Sequence, residues 1–109
     1  MVPNVERALD ALGDSTRRLV FRRLRNGTRS VREIAEGMDV SRPAVSQHLK
    51  ILKAAGLIVV RSEGTRRMYA VDSRGIEALR GWLDEFWDEA LAAFKKAAET
   101  AVKKERKSR

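Results

Sequence analysis

No cysteine occurs anywhere in this chain of 109 residues. Disulfides, thiolate metal sites and thiol redox sensing are excluded together. Histidine occurs once, at His48, and zinc sites draw on several His or Cys ligands, so no metal is expected. No run of apolar residues is long enough for a transmembrane helix. The stretch Met-Val-Pro-Asn-Val-Glu-Arg at the N-terminus lacks the apolar core of a signal peptide, so a cytoplasmic location is expected, with no membrane partner. Catalytic constellations are missing too. There is no Ser/His/Asp or Cys/His set at a supporting spacing, no phosphate-binding glycine loop and no clustered metal-binding carboxylates. Neither catalysis nor a cofactor is expected. Internal repeats are absent.

What is abundant is positive charge, a net +8. It is unevenly placed: residues 1–67 carry a net +7, residues 68–94 a net −4 and residues 95–109 a net +5. Basic proteins of this size often bind nucleic acid. The acidic, aromatic middle segment is suited to contacting protein instead. The length fits one domain, here taken as residues 1–102, with 103–109 as a basic tail expected to be disordered. So small a domain buries a modest core, and a partner subunit would add to it.

The stretch Ser41 to Gly56 organises the rest. Ser41 can cap a helix, Pro43 fits its first turn, and Gly56 can end it. Val45, Leu49 and Leu52 share one face, at the spacing of a stripe that packs into a core. The other face carries Arg42, Ser46, Gln47, Lys50 and Lys53, donors of the kinds that reach base edges and phosphates. Before it, Ser30 and Glu33 form a capping box that starts a helix through Val31, Ile34, Ala35 and Met38. Two short helices joined by a tight turn, the second one basic, make the helix-turn-helix pattern.

Upstream, Val5, Ala8, Leu9 and Leu12 mark a short amphipathic helix between Asn4 and Gly13. Asp14-Ser15 restarts the chain into a helix. Thr16, Leu19, Val20 and Leu24 are its expected buried side, and Arg17, Arg18, Arg22, Arg23 and Arg25 its basic surface. Downstream, Leu57–Val60 and Thr65–Val71 flank Arg61-Ser-Glu-Gly64 and read as a β-hairpin. A hairpin directly after such a helix is the wing of a winged helix. Residues 74–99 then read as one long helix. Ile76, Leu79, Leu83, Phe86, Ala90, Ala93 and Ala97 recur at alternating spacings of three and four, and Trp82, Trp87, Leu91 and Phe94 widen the stripe. The expected class is mainly α with a small β-hairpin, a winged helix-turn-helix of order α-α-α-α-β-β-α, dimeric.

Each candidate site has a plainer reading beside it. Arg42, Ser46 and Gln47 could be only a solvated helix face, but the capped helix pair and the hairpin agree in favouring contact with double-stranded DNA. Arg42 could grip guanine and Gln47 adenine, and Ser46 tolerates either. Lys50 and Lys53 would touch phosphate or only water. The Ser41 cap is structural by default and could also present helix amides to a phosphate. On the hairpin, Arg61, Thr65, Arg66 and Arg67 favour backbone or minor-groove contact over simple solvation, with Arg66 first. Tyr69 anchors the wing to the core. His48 suits packing or a phosphate contact. Arg17, Arg18, Arg22 and Arg23 could reach phosphate, stay solvated or pair with acids of the last helix. Trp82, Phe86, Trp87 and Phe94 could line a ligand pocket, but aromatics at helical spacing favour a dimer core.

Ala11-Leu-Gly-Asp-Ser-Thr-Arg-Arg18 resembles the "ALxDPTRxxIL" opening of the ArsR family of winged-helix repressors. Val31–Ala35 and Ser41–Leu57 are similar to that family's helix-turn-helix, and Glu63-Gly-Thr-Arg-Arg-Met-Tyr69 resembles its wing. The likeness spans residues 5–71. Trp82-Leu-Asp-Glu-Phe-Trp87 resembles the branch without a metal site, often an autorepressor or a partner of small ligand-binding proteins. The resemblance implies a homodimer built from the first and last helices, here Val5 and Leu9 with Leu79, Trp82, Leu83, Phe86, Trp87, Ala90 and Phe94. It implies binding to an imperfect palindrome, with Arg42, Pro43, Ser46 and Gln47 facing the major groove. Metal-sensing members carry a Cys-x-Cys type motif before the recognition helix, or His and Asp ligands on the last helix. Neither set occurs here, so metal sensing at those places is not expected.

The function expected is therefore a dimeric, sequence-specific repressor. A winged helix used as a protein-interaction module and a nonspecific architectural DNA binder are the alternatives. The sequence names no small-molecule or protein effector.

Overall fold

The computed structural model describes residues 4–107. Helix α1 (Val5–Ala11) starts on Asn4, whose side chain accepts from the Arg7 amide at 3.3 Å, and it buries Ala8 and Ala11. Helix α2 (Ser15–Arg22) starts on Asp14, which accepts from the Arg17 amide at 2.9 Å. Its burial falls on Val20 and on Leu24 just beyond it. Leu19, expected in the core, is 40% exposed. It lies one residue, about 100° of helix, from the face that Val20 defines.

Strand β1 (Arg29–Ser30) precedes α3 (Val31–Ala35). The capping box is complete: the Ser30 hydroxyl accepts from the Glu33 amide at 3.3 Å, and the Glu33 carboxylate accepts from the Ser30 amide at 3.0 Å. Helix α4 (Arg42–Ala54) follows, with Ser41 accepting from the Ala44 amide at 3.2 Å. Val45, Leu49 and Leu52 are wholly buried. The helix ends at Gly56, where φ is +79°. The Leu57 amide returns to the Leu52 carbonyl at 3.1 Å and the Gly56 amide to the Lys53 carbonyl at 3.0 Å. That is a Schellman ending, and the buried Leu52–Leu57 pair provides the apolar contact that usually accompanies it.

Strands β2 (Ile58–Glu63) and β3 (Arg66–Val71) pair antiparallel from Ile58 against Val71 to Glu63 against Arg66. The turn is therefore only Gly64-Thr65, shorter than the stretch from Arg61 to Gly64 expected above. Gly64 makes this possible with φ +63° at the first turn position, as a type II′ hairpin requires. β1 adds to β3 through Arg29 against Tyr69 and Ser30 against Met68, giving a sheet of order β1-β3-β2. This third strand, two residues long, was not expected.

Helix α5 (Ser73–Lys107) begins after Asp72, whose carboxylate accepts from the Arg74 amide at 3.0 Å. Gly75 lies buried against the end of α4, and a Cβ placed there would fall 2.2 Å from the Gly56 carbonyl oxygen. α5 continues through residues 103–107, part of the stretch expected to be a disordered tail. Ala97, Ala98, Ala101, Lys103 and Lys104 are all strong helix formers. Residues 108 and 109 lie outside the described residues.

The chain divides into two units, one ending at Leu79 and the other starting at Arg80. The first holds the buried core: Ala8, Ala11, Val20, Leu24, Ile34, Val45, Leu49, Leu52, Ala55, Leu57, Ile58 and Tyr69. The second is the rest of α5. Within it the Trp82 and Phe86 rings stack at 6.0 Å between centroids. Leu83, Phe86, Trp87, Leu91 and Phe94 are each more than half exposed in the single chain.

Candidate nucleic-acid interface

α4 presents one continuous exposed edge. Arg42, Pro43, Ser46, Gln47, Lys50 and Lys53 are all exposed, while Val45, Leu49 and Leu52 of the same helix are wholly buried. The helix is thus fixed to the core by one face while the other carries donors free for a ligand. Ser41 is exposed, but its hydroxyl is occupied by the Ala44 amide, so capping is its observed role. His48 sits between the two faces, half-buried, with its Nδ1 enclosed and without a hydrogen-bond partner among the described residues.

Three arginines of the α2 region do work that no local pattern announces. Arg17 Nε donates to the Ala11 carbonyl at 2.6 Å, and Arg18 Nη1 to the Leu12 carbonyl at 2.7 Å. Both satisfy the carbonyls that end α1. Arg23 Nη1 donates to the Ile34 carbonyl at 3.4 Å and to the Glu36 carbonyl, at the end of α3. A cation at a helix C-terminus also complements the dipole there. These contacts orient α1 and α3, and the uses expected of Arg17, Arg18 and Arg23 did not include them. Arg22 and Arg25 stay exposed beside a groove of about 530 Å3 that Leu19 also lines.

On the hairpin, Tyr69 is buried, as the anchor expected of it. Arg61 pairs with Glu63 at 3.0 Å, with both side chains exposed. Arg66 is tied inward: its Nη2 lies 3.2 Å from Glu33 Oε1 and 3.4 Å from Ser30 Oγ. Thr65 and Arg67 stand exposed near the tip. The Ser30 amide and hydroxyl, then Arg66 and Arg29, hold the Glu33 carboxyl below the usual carboxylate range. Glu33 is therefore an anion at neutral pH that serves the α3 cap and the wing together. Its place in a capping box was legible in sequence; its second partner, on β3, was not.

Among the described residues no group of three or more His, Cys, Asp or Glu side chains could hold a metal ion, and no helix is long and apolar enough to cross a membrane.

A core-anchored helix with a polar outer edge, second in a helix-turn-helix pair and followed by a basic hairpin, defines a winged helix-turn-helix DNA-binding domain. Comparison with known proteins agrees. A family model described as a helix-turn-helix domain matches residues 12–61. The HTH-type transcriptional regulator Rv2034 of Mycobacterium tuberculosis is 52% identical over 89 residues, covering 82% of this chain and 83% of that protein. The transcriptional repressor SdpR of Bacillus subtilis is 32% identical over 76 residues, covering 70% of this chain and 84% of the repressor. The solution structure of Mb0332 from Mycobacterium bovis, a homodimeric winged helix-turn-helix DNA-binding domain and possible ArsR-family regulator, is 31% identical. It aligns with TM-score 0.63 over 80% of this chain and 81% of that one. The chain belongs to the ArsR family of HTH-type transcriptional regulators. It is a DNA-binding regulator of transcription, and the resemblance in residues 5–71 pointed to its family correctly.

Proposed function

We propose that the protein is a dimeric repressor that reads an imperfect palindrome within a promoter, acting in the cytoplasm without a catalytic role. The observation that carries this is the exposed edge of α4, fixed from behind by Val45, Leu49 and Leu52. Arg42, Ser46 and Gln47 would meet base edges. Ser41 and Pro43 would lie at the groove, and Lys50 would meet a phosphate. From the hairpin, Arg61, Thr65, Arg66 and Arg67 would contact the backbone or the minor groove, Arg66 from its place beside Glu33. Two α4 helices in successive major grooves sit roughly 34 Å apart on one face of the duplex. Occupying a promoter in this way excludes polymerase.

The exposed apolar row of α5 supports the dimer. Leu79, Trp82, Leu83, Phe86, Trp87, Ala90 and Phe94, with Val5 and Leu9 of α1, would form the interface. Large apolar groups left in water, here Trp82, Leu83, Phe86, Trp87 and Phe94, mark a contact surface, whereas Val5 and Leu9 are half-buried and Leu79 is half-buried against the core of its own chain. The homodimeric relative supports the same assembly, and the relative named a repressor supports the direction of regulation. Sedimentation at micromolar concentration tests the assembly: a dimer is expected, and a stable monomer would contradict the role given to Leu83, Phe86 and Trp87. Promoter occupancy that lowers transcription in vitro is the expected regulatory result; activation would reverse it.

A further inference from the structure

We propose that Arg32, on the outward side of α3, binds a DNA backbone phosphate between the α4 edge and the wing. This rests on the DNA-binding role above and adds a contact to it. Two surface grooves meet at this residue. One, of about 420 Å3, is lined by Arg32, Ala35, Glu36, Val40 and Arg42. The other, of about 590 Å3, is lined by Ser30, Val31, Arg32, Arg66 and Arg67. Arg32 is thus the residue shared by a groove that reaches Arg42 at the start of α4 and a groove that reaches Arg66 and Arg67 on the hairpin.

Its chemistry separates it from the other arginines nearby. Arg23 spends its guanidinium on carbonyls and Arg66 spends its own on Glu33. Arg32 is exposed and makes no hydrogen bond or ion pair with any described residue, not even with Glu36 in the same groove. A planar guanidinium with all its donors free matches two phosphate oxygens at once. The position fits as well. In a helix-turn-helix pair the first helix crosses the DNA backbone while the second enters the major groove. The strand passing from α4 to the hairpin must therefore run over α3. The Ser30–Glu33 box fixes the turn from which Arg32 projects, and Arg66 is tied to that same box. The separation between Arg32 and the wing is set before DNA arrives.

The test uses the full chain, a duplex carrying the selected operator and a random duplex of equal length, titrated across a salt series. Arg32→Ala is expected to weaken both duplexes by the same factor, about fivefold to tenfold at 0.1 M salt, and to lower the slope of log affinity against log salt by about one unit. Arg32→Lys should keep most of that slope. Arg25→Ala, beyond the end of α2 and outside both grooves, should keep all of it. The melting temperature of Arg32→Ala should match wild type, since the side chain has no intramolecular partner. A wild-type slope in Arg32→Ala overturns the proposal, as does an equal fall in Arg25→Ala. A loss confined to the operator overturns the phosphate assignment and makes Arg32 a base reader. Wild-type protein that binds neither duplex removes the DNA-binding role itself, a result distinct from all of these.

Discussion

Arg66 on the hairpin and Glu33 on α3 are joined at 3.2 Å, Nη2 to Oε1. The same carboxylate oxygen accepts the Ser30 amide at 3.0 Å. One oxygen therefore closes a helix cap and fastens the wing to the first helix of the helix-turn-helix pair. The hairpin does not hang free beside the DNA, and part of its basicity is neutralised before binding.

Glu33→Gln and Glu33→Ala should separate these two duties. Glutamine can still accept the Ser30 amide in a capping box, so its melting temperature should stay near wild type. Removing the charge frees Arg66, so this variant should bind every duplex more tightly and with a steeper salt slope. Alanine loses the cap as well and should melt lower. Indistinguishable melting of the two variants would show that the cap contributes nothing.

Acid should destabilise the fold. Backbone amides lower the carboxyl of Asp14 at the start of α2, chiefly that of Arg17, and the Arg74 side chain lowers that of Asp72. Glu33 is lowered in the same direction. A carboxylate whose folded pKa lies below its unfolded value stabilises the fold above the unfolded value, and that contribution is lost as pH falls through the folded one. Melting temperature should therefore be flat around neutrality and drop on acidification below the ordinary carboxylate range. Asp14→Asn should lessen that drop. A fold that gains stability on acidification would contradict this assignment.

Gln47→Ala should cost about 1–3 kcal/mol on the operator and leave random DNA nearly unaffected. Gln47 is exposed on α4, so the fold should survive the change. Titration of both duplexes decides it, and equal losses on the two would show that Gln47 does not read a base.

Gly75→Ala should destabilise the protein by about 1–3 kcal/mol, because a methyl group there overpacks a rigid backbone contact. The obstacle is the Gly56 carbonyl oxygen, 2.2 Å from the added carbon. Denaturant unfolding measures the loss. Gly81→Ala, which meets nothing within 4 Å, is the control and should not destabilise.

The parts of this fold that sequence disclosed are those whose signals are local. Ser41, Pro43, the Val45–Leu49–Leu52 stripe and Gly56 lie within one helix and its ends, and α4 has the bounds they suggest. The Ser30–Glu33 box was equally plain. What stayed hidden depends on distant partners. Arg23 reaches carbonyls of Ile34 and Glu36, and Arg66 reaches Glu33 across 33 positions of chain. Nothing beside an arginine in sequence says whether it faces water, phosphate or a helix end. β1 is too short for any periodicity to register. Nothing around Gly75 in sequence marks it as a required glycine, because the carbonyl that a side chain there would meet belongs to Gly56. Leu19 looked like core because an amphipathic stripe is wider than the part of it that finds cover.

Selection from a random duplex library by the purified full-length protein tests most directly whether two recognition helices act as one unit. The prediction is an enriched inverted repeat with half-site centres about 10–10.5 base pairs apart, or a multiple of that spacing, that Gln47→Ala fails to enrich. A single unrepeated motif, or a library left unenriched, would contradict it.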